Sequence, residues 1–331
     1  LGLEVHTVPV RGRWDRKAFA QLRELLDHLQ PRVAHAHDVK ASLYLMKAAR
    51  VRAGFKPQLV STHHGAVARK GKIRLYEEIY VRWVLPRFDD VMCVCEGDIA
   101  SLNRRGLPLS KLHLHINGVD RPKVEPQARD DVQRTIRARW KLSMPSLPEP
   151  GEALYLGAVA RLSDEKRHDR MLNVLSVLKR EMPGKRVVLV CFGTGAEEAR
   201  LKGLTAAAGL QNDVFWMGYS KTIGQEIAGF DLLLCMSDGE GIPINLIEAG
   251  WAGTPVFSTR VGGIPDLLSS DQVGYLVEKS DTDQAIGRTM ARVLGDTAGR
   301  EALGRRYQQY IVANFSEKAW LDTLRAVYRK S

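Results

Sequence analysis

Cysteine is scarce in this chain of 331 residues, which has four, at Cys93, Cys95, Cys191 and Cys235, all in apolar, β-branched surroundings. That scarcity excludes a disulfide scaffold and points to reduced core thiols. Cys93 and Cys95 are separated by one residue rather than the two of zinc knuckles and redox motifs, and no histidine-rich segment with ligand spacing joins them, so no metal site is expected. No apolar run approaches the roughly 20 residues a bilayer helix needs. Nucleophile-elbow and P-loop patterns are missing, as are internal repeats and low-complexity segments. With 44% hydrophobic residues the chain is not disordered either. Without a charged-then-apolar leader in view, the expectation is a soluble cytoplasmic protein. Leu1, not Met, opens the chain inside a strand-like run over residues 3–10, so the natural product is expected to begin further upstream.

Acidic side chains fall short of basic ones, 38 against 49, for a formal charge of +11. The whole excess is in the first half: residues 1–150 hold 27 basic and 16 acidic side chains, residues 151–331 hold 22 of each. Such asymmetry aims the amino-terminal portion at something anionic, whether nucleic acid, phospholipid or an acidic acceptor, or else marks a solvated basic surface.

Strand-like apolar runs alternate with helical periodicity along nearly the whole length, the pattern of parallel sheets covered by helices on both faces. Strands are expected over residues 3–10, 33–36, 58–62, 90–95 and 112–117, with helices over 16–29, 39–52, 73–88 and 98–105. A second series follows a Pro-bearing stretch at 143–150, with strands near 153–160, 186–192, 214–217, 231–236, 255–258 and 274–277. The fold class is therefore α/β, with two doubly wound, Rossmann-like domains facing across a cleft, where ligands sit at the carboxyl ends of the strands. The expected divisions are 1–120, a linker with a helix at 121–150, a second domain at 151–310, and a terminal helix at 311–331 crossing back on Trp320, Leu321, Leu324 and Val327.

The most informative stretch is Asp238-Gly239-Glu240-Gly241-Ile242-Pro243-Ile244-Asn245-Leu246-Ile247-Glu248-Ala249, directly after a buried-strand run. A strand, a glycine-flanked turn, a proline and then a helix aim free backbone N–H groups at an anion, here read as a diphosphate. Glu240 falls in the turn and Glu248 about one turn into the helix. A carboxylate there matches a vicinal diol such as a ribose, or merely complements the helix dipole. After the strand at 153–160 comes Arg161-Leu162-Ser163-Asp164-Glu165-Lys166-Arg167-His168. The forked guanidinium of Arg161 and the compact charge of Lys166 suit phosphate oxygens, although in isolation the segment also reads as a solvated charge run at a helix start.

Arg161 with Lys166, and Glu240 and Glu248 with seven residues between, resemble the donor site of GT-B fold glycosyltransferases of family 4. Ile116-Asn117-Gly118-Val119-Asp120 resembles that family's interdomain turn, and Phe192-Gly193-Thr194-Gly195 and Phe215-Trp216-Met217-Gly218-Tyr219 its nucleotide-side loops. Val261-Gly262-Gly263-Ile264-Pro265-Asp266 is similar to its glycine pair, with Asp266 where the family more often has Glu. The resemblance runs from about residue 20 to the end and is most specific in the carboxyl half.

The resemblance implies a hexosyltransferase-type enzyme of polysaccharide or lipopolysaccharide biosynthesis that takes a nucleotide-sugar, UDP- or GDP-linked foremost, as substrate. It implies transfer with retention to a glycan, lipid-linked or polysaccharide acceptor, with no separate cofactor and no metal. Arg161 and Lys166, with the amides of Ile244 and Asn245, would neutralise the diphosphate; Glu248 would hold the ribose; Glu240 and the main chain near Ile242 would hold the transferred sugar; Met217 would border the base. Thr62-His63-His64-Gly65 matches the setting of the family's amino-terminal histidine, which favours His64 over His63 near the reacting sugar, although a lone histidine is more often structural. His35-Ala36-His37-Asp38 resembles another family loop, with metal ligation a minor alternative. The family's glycine-rich loop after its first strand has no counterpart here, so an amino-terminal strand, helix and loop are expected ahead of Leu1, and activity is expected to need them.

Other readings compete. Asp281-Thr282-Asp283 has the Asp-x-Asp form used by another glycosyltransferase fold for a divalent metal, but Ser280 before it and a helical pattern after it favour helix capping. The basic residues 69–74, followed by Leu75, Tyr76, Ile79, Tyr80, Trp83 and Arg87, suggest peripheral contact with an anionic membrane or a phosphate-bearing acceptor, or a helix packing its Leu/Ile/Trp face on the sheet. A sugar-nucleotide epimerase or a phosphorylase of the same build is the rival enzyme. A basic nucleic-acid-binding protein is the rival from another class; the absence of interleaved aromatics speaks against it, and no nucleic acid is expected as partner.

Overall fold

The computed structural model describes residues 4–12, 14–49, 56–64, 77–118, 129–268 and 273–328. It divides into two compact units, residues 1–116 with 321–331, and residues 117–320.

In the first unit, α1 (Arg16–Leu29) starts on Asp15, whose carboxylate accepts the amides of Lys17 and Ala18 at 3.0 and 3.3 Å. The strands β1 (Val33–His37), β2 (Gln58–His63), β3 (Asp90–Cys93) and β4 (Leu112–Leu114) pair in parallel in the order β1-β2-β3-β4. Parallel pairing needs a crossover between neighbours. Helices α2 (Asp38–Ala49) and α3 (Glu96–Arg104) supply the first and last, and a helical stretch ending in a π-turn at Tyr80–Val84 and a 3-10 turn at Leu85–Arg87 supplies the middle one. The core joins Leu43, Tyr80, Val84, Leu85, Phe88, Val91 and Leu102.

Two expectations are corrected here. Residues 4–12 form no strand: Val5 is 83% exposed, and β-propensity without a neighbouring strand to pair with does not make a ladder. Nor do Ile79 and Trp83 pack on the sheet; they are 44% and 63% exposed, while Tyr80, Val81, Val84 and Leu85 are buried. The cause is the wider turn, in which the Leu85 amide reaches the Tyr80 carbonyl five residues back and so rotates the apolar face. Residues 65–76, with the basic run at 69–74, lie outside the described residues, as do Val119 and Asp120 of the expected interdomain turn.

The first described helix of the second unit is α4 (Arg129–Ser143), within the stretch 121–150 expected as a linker with a helix; its Ile136 and Trp140 pack against Gly229 and Phe230 of this unit. Six strands follow: β5 (Leu154–Val159), β6 (Val187–Phe192), β7 (Val214–Gly218), β8 (Leu232–Cys235), β9 (Val256–Thr259) and β10 (Tyr275–Val277). All pair in parallel, in the order β10-β9-β8-β5-β6-β7. β6 and β8 are buried at every residue, as their unbroken apolar sequences require of central parallel strands. The covering helices are α5 (His168–Glu181), α6 (Glu198–Ala207), the short α7 (Ile223–Glu226), α8 (Ile244–Trp251), the short α9 (Ile264–Leu267), α10 (Asp283–Gly295) and α11 (Thr297–Asn314). In chain order the strands run third, second, first, fourth, fifth, sixth across the sheet, the dinucleotide-fold order, whose direction reverses between β5 and β8.

The last helix, α12 (Glu317–Tyr328), returns to the first unit: Val327 sits against Val60 and Met92, and the Tyr328 hydroxyl lies 2.7 Å from His35 Nδ1. Asp281-Thr282-Asp283 is a helix start, with Thr282 accepting the Ala285 amide at 3.3 Å and Asp283 paired to Arg170 at 2.9 Å. All four cysteines are free and buried, and burial pushes the Cys93 thiol up to about 12 and Cys235 up to about 11. Among the described residues no helix is long and apolar enough to cross a membrane, and no group of three or more His, Cys, Asp or Glu could hold a metal ion.

Candidate active site

A doubly wound sheet leaves a crevice outside the carboxyl ends of the two strands where its order reverses. Here those strands are β5 and β8, and the loops leaving them are residues 160–167 and 236–243, the two stretches singled out by their charges. The loops are tied directly, the Asp238 amide donating to the Glu165 carbonyl at 2.8 Å. Neighbouring loops lock them from either side. Gly193, at φ +140°, lets the turn after β6 approach so closely that a Cβ would stand 1.9 Å from the Ala160 carbonyl oxygen. Gly262, at φ +54°, does the same against the Glu240 carbonyl, where a Cβ would stand at 1.7 Å, and the Gly263 amide donates to the Glu240 and Gly241 carbonyls at 3.3 and 3.1 Å. Both positions need glycine, for space and for backbone conformation.

On this frame Lys166 Nζ lies 2.5 Å from Glu240 Oε1, with the two side chains 18% and 11% exposed. Ser237 Oγ donates to the same carboxylate oxygen at 2.6 Å, and the Cys235 thiol stands 3.8 Å from it. Two residues on, Ile242 is buried and its carbonyl accepts from Asn117 at 3.4 Å. Pro243 is the last residue before α8, whose first turn has no side-chain cap and no acidic residue. Its leading N–H groups, at Ile244 and Asn245, therefore make an anion-binding end. The Asn245 side chain donates to the Val159 carbonyl at 2.6 Å, which pins the start of the helix to the end of β5.

Glu248 follows one turn later, half-buried, with its carboxylate bonded to no side chain among the described residues. Burial raises its pKa from the ordinary value. It faces α7: a Cβ on Gly224 would stand 3.2 Å from Glu248 Oε1. Met217, half-exposed, is at the carboxyl end of β7, the strand leading to α7.

Thus Lys166, Glu240, Ile242, Ile244 and Asn245 meet in one turn, with Glu248 beside them. Arg161 does not join the ion pair: its side chain is 78% exposed and, among the described residues, pairs with Glu165 at 3.8 Å. Sequence reasoning missed Ser237, which orients Glu240, and Asp238, which holds Arg167 at 3.3 Å and Lys279 at 3.2 Å. It also gave Asn245 only its backbone amide.

In the first unit His64 is exposed, just beyond β2, with Nε2 3.1 Å from His37 Nδ1. His63 is buried, stacked on Tyr80 and 3.9 Å from Asp98. Burial lowers the pKa of His63 to about 4, and burial together with the neighbouring histidines does the same for His35 and His115. At the start of α2, Asp38 takes φ +80°, uncommon for any residue but glycine, and lines a small cavity of about 40 Å³ with His63, His64, Tyr80 and Arg105.

A dinucleotide-order sheet whose switch point carries a lysine–glutamate pair and an uncapped helix start has the build of an anion-accepting crevice. Comparison with known proteins narrows the class: residues 141–310 match the family model described as glycosyl transferases group 1, and residues 2–122 match that of glycosyltransferase family 4. The chain belongs to the group 1, family 4 glycosyltransferases. It is 27% identical over 172 residues to the N-acetyl-alpha-D-glucosaminyl L-malate synthase of Bacillus anthracis, covering 50% of this chain and 45% of that one. It is 25% identical over 332 residues to a putative glycosyltransferase, EpsF, of Bacillus subtilis, covering 95% and 82%. The chain spans about half the length of the first curated relatives it matches. Among solved structures, Anabaena Alr3699/HepE in complex with UDP superposes with a TM-score of 0.77 at 16% identity, over 95% of this chain and 82% of that one. Sucrose-phosphate synthase from Thermosynechococcus elongatus gives 0.77 at 20%, over 95% and 77%. The fold is therefore GT-B.

Proposed function

We propose that this chain transfers a sugar from a nucleotide-sugar, UDP- or GDP-linked foremost, to a glycan, lipid-linked or polysaccharide acceptor, with retention of configuration. The observation that carries the reading is the Lys166–Glu240 pair at 2.5 Å beside the uncapped start of α8, at the switch point of the sheet. The diphosphate lies against the Ile244 and Asn245 amides and Lys166, with the exposed Arg161 folding over it. Glu240 and the main chain near Ile242 hold the sugar, Glu248 the ribose diol, and Met217 borders the base. The acceptor oxygen bonds to the anomeric carbon on the face that the diphosphate leaves. The bonding pair of the broken bond passes to a phosphate oxygen, and that oxygen takes the acceptor proton. Preorganised positive groups aimed at the leaving diphosphate contribute roughly 3–4 kcal/mol each. These groups supply the counter-charge from the protein itself, so turnover is expected without an added divalent ion.

Two names support the reading: the Bacillus subtilis relative is a putative glycosyltransferase, and the Anabaena structure holds UDP. His64, exposed at the carboxyl end of β2 and bonded to His37, serves on the acceptor side as a hydrogen-bond donor to a sugar hydroxyl. The exposed Trp83 and Ile79, with Arg82 and Arg87 beside them, favour an anionic, lipid-linked acceptor at a membrane surface.

A thermal-shift panel of UDP-, GDP- and ADP-sugars tests the donor, since a ligand at 100 times its dissociation constant adds about 2.7 kcal/mol. Turnover in EDTA, abolished by Lys166→Ala or Glu248→Ala, is the expected outcome. Turnover retained by both variants removes these residues from the site.

A further inference from the structure

The second unit has a cavity of about 320 Å³ at the opposite end of its sheet, under the amino-terminal ends of β5, β8 and β9, lined among others by Leu154, Asp231 and Pro255. A six-residue strand separates it from the loops of the candidate active site, roughly 20 Å away. Its volume is at the lower end of the range for small-molecule pockets. Three arginines from two helices line it: Arg129 and Arg137 on α4 and Arg300 on α11.

The charges around this cavity balance in number, three arginines against Asp130, Asp231 and Glu301, but not in pairing. Arg137 is paired with Asp231 at 2.8 Å, and the same carboxylate oxygen takes the Tyr155 amide at 2.7 Å, so that pair is closed. Arg300 is 6% exposed, and among the described residues its guanidinium donates to the carbonyls of Val293 and Leu294, at 3.3 and 2.7 Å. Arg129 donates to the carbonyls of Gly253 and, at 3.2 Å, Phe230. Among the described residues no carboxylate lies within ion-pair distance of either guanidinium. Carbonyls orient a guanidinium without neutralising it, and a buried charge lacking a counter-ion is costly. Desolvation lowers the Arg129 pKa from its ordinary value; Arg137 and Arg300 add to that, while Asp231 and Glu301 oppose it. The remaining acids at the rim, Asp130 and Glu301, are exposed, and Glu301 pairs outward with Arg305 at 3.9 Å.

We propose that this cavity is a second binding site, distinct from the donor site, for a phosphate-class oxyanion held between Arg129 and Arg300. Forked guanidiniums approaching from two helices match tetrahedral oxygens, and the volume leaves room for a small group esterified to the phosphate. The ligand is either free inorganic phosphate or the phosphoryl group of a small metabolite. The proposal stands apart from the transferase reading.

The test is thermal shift and calorimetry on the full chain with low-millimolar inorganic phosphate and, separately, glycerol 3-phosphate, against sodium chloride at equal ionic strength. A saturable rise in melting temperature is expected, with tighter binding of whichever compound represents the natural source. Lys166→Ala separates this site from the donor site and should keep the rise. Arg300→Gln keeps a donor toward the helix carbonyls but removes the charge, and should weaken binding at least tenfold. Should that variant fail to fold, Thr297→Glu reads the same point: Thr297 is exposed at the cavity rim and in the first turn of α11, where an acid is tolerated, and the new carboxylate should abolish the rise. A rise no larger than the chloride control for both compounds overturns the proposal. So does a rise that survives Thr297→Glu or disappears with Lys166→Ala.

Discussion

Lys166 and Glu240 offer the sharpest perturbation, because the pair is both the centre of the proposed donor site and a measurable feature of the ligand-free fold. The ammonium and carboxylate are 2.5 Å apart, and their side chains are 18% and 11% exposed. Lys166→Met leaves the carboxylate with the Ser237 hydroxyl at 2.6 Å and the Cys235 thiol as its neighbours. Removing one partner of a fully buried pair costs about 3–5 kcal/mol, and residual water access here brings the expectation to about 2–3 kcal/mol. In a unit of this size each kcal/mol lowers the melting temperature by about 2–4 °C, so a fall of roughly 5–10 °C is expected. Glu240→Gln alone should cost less, since Lys166 can then turn toward solvent. In the double variant no charge remains uncompensated, so the losses should be far from additive, with a coupling of about 2 kcal/mol. Differential scanning calorimetry of the four proteins without ligand measures the cycle. Strict additivity, or a cost of Lys166→Met below about 0.5 kcal/mol, refutes the claim that the pair holds the turn.

Three further outcomes follow from the same geometry. Glu248 is raised by burial, so its charged form opposes folding; Glu248→Gln should raise the melting temperature near pH 7, with the gain fading as pH falls through the folded pKa, and should weaken nucleotide binding in the same titration series. Gly262→Ala would drive a methyl into the Glu240 carbonyl, so donor affinity measured by calorimetry should fall at least tenfold even where the protein still folds; unchanged affinity would show that the Glu240 turn tolerates displacement. His35, His63 and His115 in the first unit and His168 in the second are held near about 4 against an ordinary 6.5, so the unfolded chain takes up protons that the native one does not. Stability present above pH 6.5 should therefore be lost as pH falls toward 4, and calorimetry from pH 7 to 5 should show the first unit, with three of the four, destabilised more steeply.

The strands of the second unit are legible in the sequence to within about a residue at each end, because β6 and β8 are apolar throughout and the turns between them carry glycines. The first unit is less legible where propensity and period stand alone. Residues 4–12 have the composition of a strand but no neighbour to pair with. The Ile79 and Trp83 face follows a regular helical period in sequence, which a single π-turn displaces.

What the sequence withheld at the site is of one kind. The glutamates and Lys166 announce themselves by charge and spacing, but Ser237 and Asn245 are small polar residues whose importance lies in their partners. Ser237 matters because it sits three residues before Glu240 in a turn held shut by Gly262, and Asn245 because its amide reaches a carbonyl 86 positions earlier in the chain. The Ser237 contact is local to its turn, but the Asn245 contact has no local sequence signal, since it depends on β8 settling beside β5 rather than beside β7, its predecessor in the chain. That pairing places the two loops together, and a lone lysine at the end of one strand becomes half of a buried ion pair only through it. Asn245→Leu tests the point directly: it removes the tie between α8 and β5 while leaving the Asn245 backbone amide, Lys166 and Glu240 in place. If the helix start is positioned by that side chain, nucleotide affinity should fall several-fold with little change in the ligand-free melting temperature. If affinity is unchanged, the strand order alone is enough to aim the helix.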